Sequence, residues 1–500
     1  MQSPDAKANV RKPAHPLQRA GFDPPGMPST GMCVPPPAGV RDRLPGLTKG
    51  CGGRRFRGDV RRRAKDLEPS DPEVMMVADE HRVDVAFGHG SVSVYADPEL
   101  ADWEVIRPAF EAALPDAKRQ FMQAIDNPVE CRPLREIVSP GDRVVIVTSD
   151  GTRAVPNRQL IPWIVEALPV PSENVTVLLG NGTHRANTDE EIAGMFGAEV
   201  AGRLRIQNHD AYDRSENVHL GNSGCGTDVW LDRAYVEADR RIVVGFIEPH
   251  FFAGFSGGPK GVAPGVAGIE TIYRLHRSQL ISDPKSTWGV LDGNPLQREV
   301  REAVALCPPD FLVNVTLNGE KEISGLYVGD YLEAHRRGCA EARAASMAPV
   351  EKPFQVVLTS NSGYPLDQNL YQAVKGMSAA ARIAEDGGIV LVASECSDGV
   401  PDHGNFAELM RAGVGPQDVL QAVHDREPIL DQWQAQTLAA ILGRVEVGVY
   451  SSMARADIEA CKLAAVDDLD AALRERVLAI GRGARVAVLP DGPLTIPYLV

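Results

Sequence analysis

The sequence lacks the marks of several protein classes. No apolar run approaches the roughly 20 residues that span a bilayer, so no membrane partner is expected. The N-terminus has no apolar core of the kind a secretory signal needs. Lys and Arg total 52 against 67 Asp and Glu, a formal charge of -15. Without a basic surplus there is no field to neutralise phosphates, and no nucleic-acid partner is expected. The eight cysteines (Cys33, Cys51, Cys131, Cys225, Cys307, Cys339, Cys396 and Cys461) include no CxxC pair and no zinc-type spacing. A reducing, cytoplasmic setting is the expectation. A Walker A loop is missing too. The one glycine-rich turn that ends in lysine reads GFSGGPKG, with no GxxxxGK and no Ser or Thr after the lysine.

What is present reads as an α/β protein. Five hundred residues are enough for two or three domains. Residues 1–79 stand apart: a basic, Pro/Gly-rich stretch without periodicity, expected to be a disordered tail or a mis-assigned start. Beyond it, short β-branched runs recur: RVVIVTS (143–149), NVTVLLG (174–180), RRIVVGF (240–246), FQVVLTS (354–360), GGIVLVAS (387–394) and RVEVGVY (444–450). Helical patterns such as NRQLIPWIVEAL and TDEEIAGMFGAEV lie between them. Short apolar runs separated by helices predict a parallel or mixed sheet with both faces covered. A charged, helical stretch ends at prolines near residues 340–353, and a fresh strand follows. The expected division is an N-terminal α/β domain over 80–345 and a C-terminal α/β domain over 346–500.

The unusual residues follow the strands. RVVIVTS runs into Asp150, Gly151, Thr152 and Arg153. NVTVLLG runs into NGTHR, with His184. RRIVVGF runs into EPHFFAGFSGGPK, with His250 and Lys260, and His276 lies sixteen positions further on. FQVVLTS runs into the stretch that holds Tyr371, Gln372 and Lys375. In open α/β sheets ligands bind at the carboxyl ends of strands, so these four clusters are predicted to meet in one cleft. Each has a plainer reading. Asp150 and Arg153 fit a capped turn with a surface ion pair, or a planar fork that clamps a carboxylate. His184 fits an exposed loop, or a general acid/base beside a turn whose amides receive an anion. His250, between Glu-Pro and Phe-Phe-Ala-Gly, is harder to explain as packing. Lys260 fits a phosphate contact, a pyridoxal-type Schiff base in a racemase, or a covalent tether to another cofactor. His276 fits a core histidine or a metal ligand. A cofactor-binding protein without turnover would keep Lys260 and His276 but not need His184 and His250. His15, His81, His89, His219, His335, His403 and His424 have no comparable setting, and His209 in QNHDAYD is the one worth watching.

At these residues the chain resembles the nickel-dependent lactate racemase family, over about residues 83–450. The resemblance rests on DGTRAVPN, GNGTHRANTDEEI, IEPHFFAGFSGGPKGVAPGVAGIETI, DGNPLQREV and YPLDQNLYQAVKGM. Pro259 and Ala154 depart from the family's GGRK and DxTRP patterns. The resemblance implies two α/β domains with the active site in the cleft between them, and a 2-hydroxy acid, lactate-like, as substrate. It implies a nickel-pincer nucleotide, Ni(II)-pyridinium-3,5-bisthiocarboxylate mononucleotide, attached covalently through Lys260. His276 would be the nickel ligand, the remaining donors coming from the cofactor, and enzymes that synthesise the cofactor would be partners. His184 and His250 would be the two acid/base histidines. Asp150, Gly151, Thr152, Arg153, Gln372 and Lys375 would contact the cofactor, and Arg153, Tyr371 and Lys375 the substrate.

Overall fold

The computed structural model describes residues 81–500, apart from 403 and 425. The tail expected over 1–79, with His15, Cys33 and Cys51, lies outside the described residues, as does His403. The six described cysteines are all free. No described helix is long and apolar enough to cross a membrane.

Two six-stranded sheets organise the chain. In the first, the strands run in the order Ile323–Gly329, Phe311–Leu317, Arg240–Phe246, Val144–Ser149, Val175–Gly180, Arg205–Asn208. All neighbours are parallel except the first pair. The second runs Ala464–Val466, Glu446–Tyr450, Ala384–Ala393, Phe354–Ser360, Arg485–Leu489, Asp102–Val105, all parallel. All six β-branched runs noted in the sequence are strands of these sheets. Their lack of alternation has a direct cause. Val145 and Val147 enter one core while Val144 and Ile146 enter another on the opposite face. Val356 and Leu358 separate from Phe354 and Val357 in the same way. A strand covered on both faces has no polar side to show.

Helix ends follow their local chemistry. Thr188 caps Asp189–Phe196 with a reciprocal capping box to Glu191. The pattern TDEEIAGMFGAEV forms two helices rather than one, because Gly197, at φ 83°, breaks it before Ala198–Arg203. Asn369 accepts from the amide of Gln372 and starts Leu370–Ala381, which carries Gln372 and Lys375.

The chain does not fill the sheets in strict order. Residues 82–106 were expected with the first domain, yet they pack with the second sheet. Asp102–Val105 is that sheet's edge strand, beside Arg485–Leu489. Val83, Val85 and Val94 of the preceding hairpin share a core with Val356, Leu358 and Val486. The chain then builds the first sheet and returns through the helix Glu333–Ser346 and the strand Met347–Val350. That short strand pairs with Ile496–Leu499.

Both sheets reverse direction once. In the first, successive strands move outward from Val144–Ser149 one way, then from Arg240–Phe246 the other. Such a switch leaves a crevice at the carboxyl ends of the two central strands. Asp150–Arg153 and Ile247–His250 are the residues that follow those ends.

Candidate active site

One cavity of about 1150 Å³, counted with its solvent-open space, receives residues from the first sheet and its loops and from the helices Leu370–Ala381 and Gln432–Leu442. Asp150, Arg153, His184, His250, Lys260, His276, Tyr371, Gln372 and Lys375 all line it. Gly151 and Thr152 do not. They border the groove outside it, and their work is local. The Thr152 hydroxyl donates to Asp150 Oδ1 at 2.7 Å, and the Gly151 amide donates to Asn187 Oδ1 at 3.0 Å.

The two acid/base candidates are built differently. Asp150 is buried, and its Oδ2 lies 2.7 Å from His184 Nδ1. Burial opposes ionisation of Asp150, but His184, Thr152 and Arg153 outweigh it and hold the carboxyl below its usual range. An ionised carboxylate only accepts, so His184 carries its proton on Nδ1 and keeps a lone pair on Nε2. The His184 side chain is 40% exposed. His250 is the reverse case. Its Nδ1 accepts from the amides of Phe252 and Ala253, at 3.4 and 3.2 Å. The neutral ring therefore carries its proton on Nε2. Burial, with Lys260, Arg153 and Lys375 nearby, pushes the His250 pKa well below its ordinary value.

Lys260 sits on the turn Gly258–Gly261. Gly257 and Gly258 have φ of 73° and 54°, a region L side chains avoid. A Cβ on Gly258 would also lie 2.4 Å from the His335 ring. Asn314 Oδ1 accepts from the Gly258 amide at 2.7 Å, and His335 Nε2 donates to the Ser256 carbonyl at 2.8 Å. The turn is thus pinned from behind. Burial, then the charge of Arg153, lowers the Lys260 pKa to about 7, while Glu248 pulls it up.

His276 ends the helix Ile269–Leu275. Its Nδ1 donates to the Ile272 carbonyl at 2.8 Å, which leaves Nε2 as the lone-pair nitrogen. Burial lowers its pKa to about 4, so the ring is neutral at pH 7. That is the form a metal needs. Among the described residues no group of three or more His, Cys, Asp or Glu side chains is placed to hold a metal ion. A metal here would take its other donors from a bound group.

Helices of the second half of the chain line the cavity as well. Lys375 Nζ donates to Gln372 Oε1 at 2.7 Å. Burial and Arg153 lower the Lys375 pKa to about 7. The Tyr371 hydroxyl accepts from Trp433 Nε1 at 3.0 Å, and burial pushes its pKa far up.

Three residues of the site were not singled out from the sequence. Trp433 lies 4.6 Å, ring to ring, from His276. The buried amide Gln434 lines the cavity beside it. Glu248 is the acid set among Arg153, Lys375 and Lys260; burial pushes its carboxyl up, and those three cations pull it down. Glu248 stands two residues before His250, so a signal was there. Trp433 and Gln434 had none. His209 lines neither the cavity nor the groove. It is a buried brace, 2.8 Å from Asp232 through Nδ1 and 2.9 Å from the Ala267 carbonyl through Nε2.

The arrangement combines a lone-pair histidine on a carboxylate, a second neutral histidine, two lysines and an arginine. It suits an anionic substrate whose proton must be moved. Known proteins agree with this picture. The family model described as the lactate racemase N-terminal domain matches residues 87–289, and that of the lactate racemase C-terminal domain matches 350–496. The chain belongs to the lactate racemase family. It is accordingly an isomerase. The lactate racemase of Thermoanaerobacterium thermosaccharolyticum is 35% identical over 378 residues, 74% of this chain and 88% of that protein. The lactate racemase of Lactiplantibacillus plantarum is 34% identical over 375 residues, with the same coverage. The solved lactate racemase apoprotein from T. thermosaccharolyticum superposes with a TM-score of 0.78 at 31% identity, over 83% of this chain and 99% of that one. A Thermotoga maritima protein shares the fold alone, with a TM-score of 0.60 at 18% identity over 78% of this chain and 100% of that one.

Proposed function

We propose that this lactate racemase family member racemises or epimerises a 2-hydroxy acid, lactate-like at its reacting end, by moving the α-hydrogen as a hydride. The observation that carries the reading is the pairing of the Asp150–His184 dyad and the neutral His250 in one cavity with Lys260, His276, Arg153 and Lys375. The α-hydrogen of a 2-hydroxy acid is too weakly acidic to leave readily as a proton. Leaving as hydride while a base takes the hydroxyl proton gives an uncharged, planar ketone at that carbon, which can be reduced on either face.

In this reading Arg153 and Lys375 hold the substrate carboxylate, with Tyr371 alongside. Arg153 offers the planar fork, and Lys375 the point charge that carboxylate binding re-protonates. His184 takes the hydroxyl proton of one enantiomer on Nε2, and Asp150 stabilises the imidazolium. His250 serves the other enantiomer, its ring first giving up the amide contacts at Nδ1. Holding the reactants together contributes at best roughly 7–11 kcal/mol.

The cofactor we assign is the nickel-pincer nucleotide, tethered through Lys260 and ligated through His276, with Asp150, Arg153, Gln372 and Lys375 around it. Three observations fit it. Lys260, with a pKa of about 7, is part free amine at neutral pH, as attachment requires. His276 offers one neutral imidazole nitrogen, which suits nickel when the other donors are soft sulfur. Asn181 and Gln434, both lining the cavity, keep a buried carbonyl oxygen without a donor among the described residues. When bound, the group supplies the hydride acceptor. Enzymes that make it are the partners this reading implies.

The test uses cofactor-loaded protein and a 2-hydroxy acid deuterated at C2. The product enantiomer should keep the deuterium, because a hydride does not exchange with water. Racemisation with the label washed out into solvent would overturn the hydride route.

A further inference from the structure

The cavity does not end at the catalytic groups. It continues as a groove that shares Asp150, Arg153, His184 and Gln372 with it. The groove runs past the helix Asn157–Ala167 and residues 364–368. A substrate with its carboxylate on Arg153 and its hydroxyl at His184 lies where the two spaces join. Whatever it carries beyond the reacting carbon has this groove beside it. A methyl group would leave most of the groove to water.

The charges along the groove are unequal. Asp150 is engaged by His184 and Thr152. Arg185 is neutralised by Glu191, through contacts of 2.8 and 2.5 Å. That pairing, with the Thr188 amide, lowers the Glu191 pKa to about 2. Arg158 is different. Its Nε donates to the Gly194 carbonyl at 2.9 Å, and no carboxylate among the described residues pairs with its terminal nitrogens. The carbonyl fixes the side chain without spending its charge. Val155, Pro156 and Leu366 supply apolar surface along the same groove. A short carbon stem fits beside them, and an acidic end fits the guanidinium.

We propose that the substrate is a short 2-hydroxy dicarboxylic acid, and that Arg158 binds the carboxylate farthest from the reacting carbon. The inference rests on the 2-hydroxy-acid reading above. Arg158 is exposed, so the selectivity it gives is modest, about fivefold.

The experiment compares kcat/KM of the cofactor-loaded enzyme for lactate, 2-hydroxybutyrate, 2-hydroxysuccinate and 2-hydroxyglutarate. The diacids should exceed the monoacids. Arg158→Gln should lower the diacid-to-monoacid ratio about fivefold, mainly through KM, and Arg158→Lys should restore part of it. Monoacids turned over as well as diacids, or a ratio that Arg158→Gln leaves unchanged, would overturn this inference alone. Turnover of none of the four would sink the 2-hydroxy-acid reading as well.

Discussion

The two ends of the cavity solve different problems. At the buried end Lys260 and His276 are held neutral or nearly so, with pKa values lowered to about 7 and about 4. His250, also pushed down, stands with them. At the open end His184 is 40% exposed and leans on an ionised Asp150. Neutral donors set among desolvating neighbours suit a resident group that stays through every turnover. An exposed base backed by a carboxylate suits a substrate that comes and goes. In the proposed reading, burial keeps the ligand side chains neutral, and the hydrogen bond to Asp150 orients the base.

The comparison breaks most visibly at Lys260. Lys260→Ala should abolish covalent attachment of the cofactor and all turnover, because no other amine occupies the turn. Intact-protein mass after exposure to the cofactor reads the first, and racemisation the second. An adduct that survives would remove Lys260 from the buried end's work.

His184→Ala probes the opposite end. The adduct should remain, while kcat/KM falls by roughly 10²–10⁴, the usual contribution of a positioned acid/base group. Asp150→Asn should cost less than this, since the imidazole stays and only its charged partner goes. Loss of the adduct in His184→Ala would mean that the two ends are not separate in function.

Much of this was legible in the sequence, and the gaps have physical reasons. The strands showed because a strand covered on both faces is apolar along most of its length, as Val144–Val147 is. The site clusters showed because polar, glycine-bearing residues directly after such strands have little packing value. Strand partners were not legible. Asp102–Val105 was not among the runs read as strands, and nothing in its four residues says that it pairs with Arg485–Leu489 at the far end of the chain. Trp433 was equally hidden. It lies on the helix Gln432–Leu442, where Gln432, Gln434 and Gln436 are all buried, so the usual polar-outside pattern fails. Its closeness to His276 arises from packing between elements far apart in sequence. The glycine break at Gly197 was visible as a residue but not as a conformation, since glycine also tolerates a helix at modest cost.

The smallest expected effect sharpens the link between the ends. Arg153 lines both the cavity and the groove, yet its charge reaches Lys260. Burial is the larger cause of the lowered lysine pKa, and Arg153 is the second. Removing a neighbouring positive charge favours the ammonium form, so Arg153→Gln should raise the Lys260 pKa. The rise should stay under about one pH unit, because burial is untouched. In cofactor-free protein, acetylation of Lys260 by acetic anhydride, followed by peptide mass, should show a midpoint near pH 7. The midpoint should move up in Arg153→Gln and fall in Glu248→Gln, which removes the acid that raises it. A wild-type midpoint near that of a free lysine would show that the turn leaves Lys260 in water. A midpoint that Arg153→Gln does not move would show that the open end and the buried end are electrically independent.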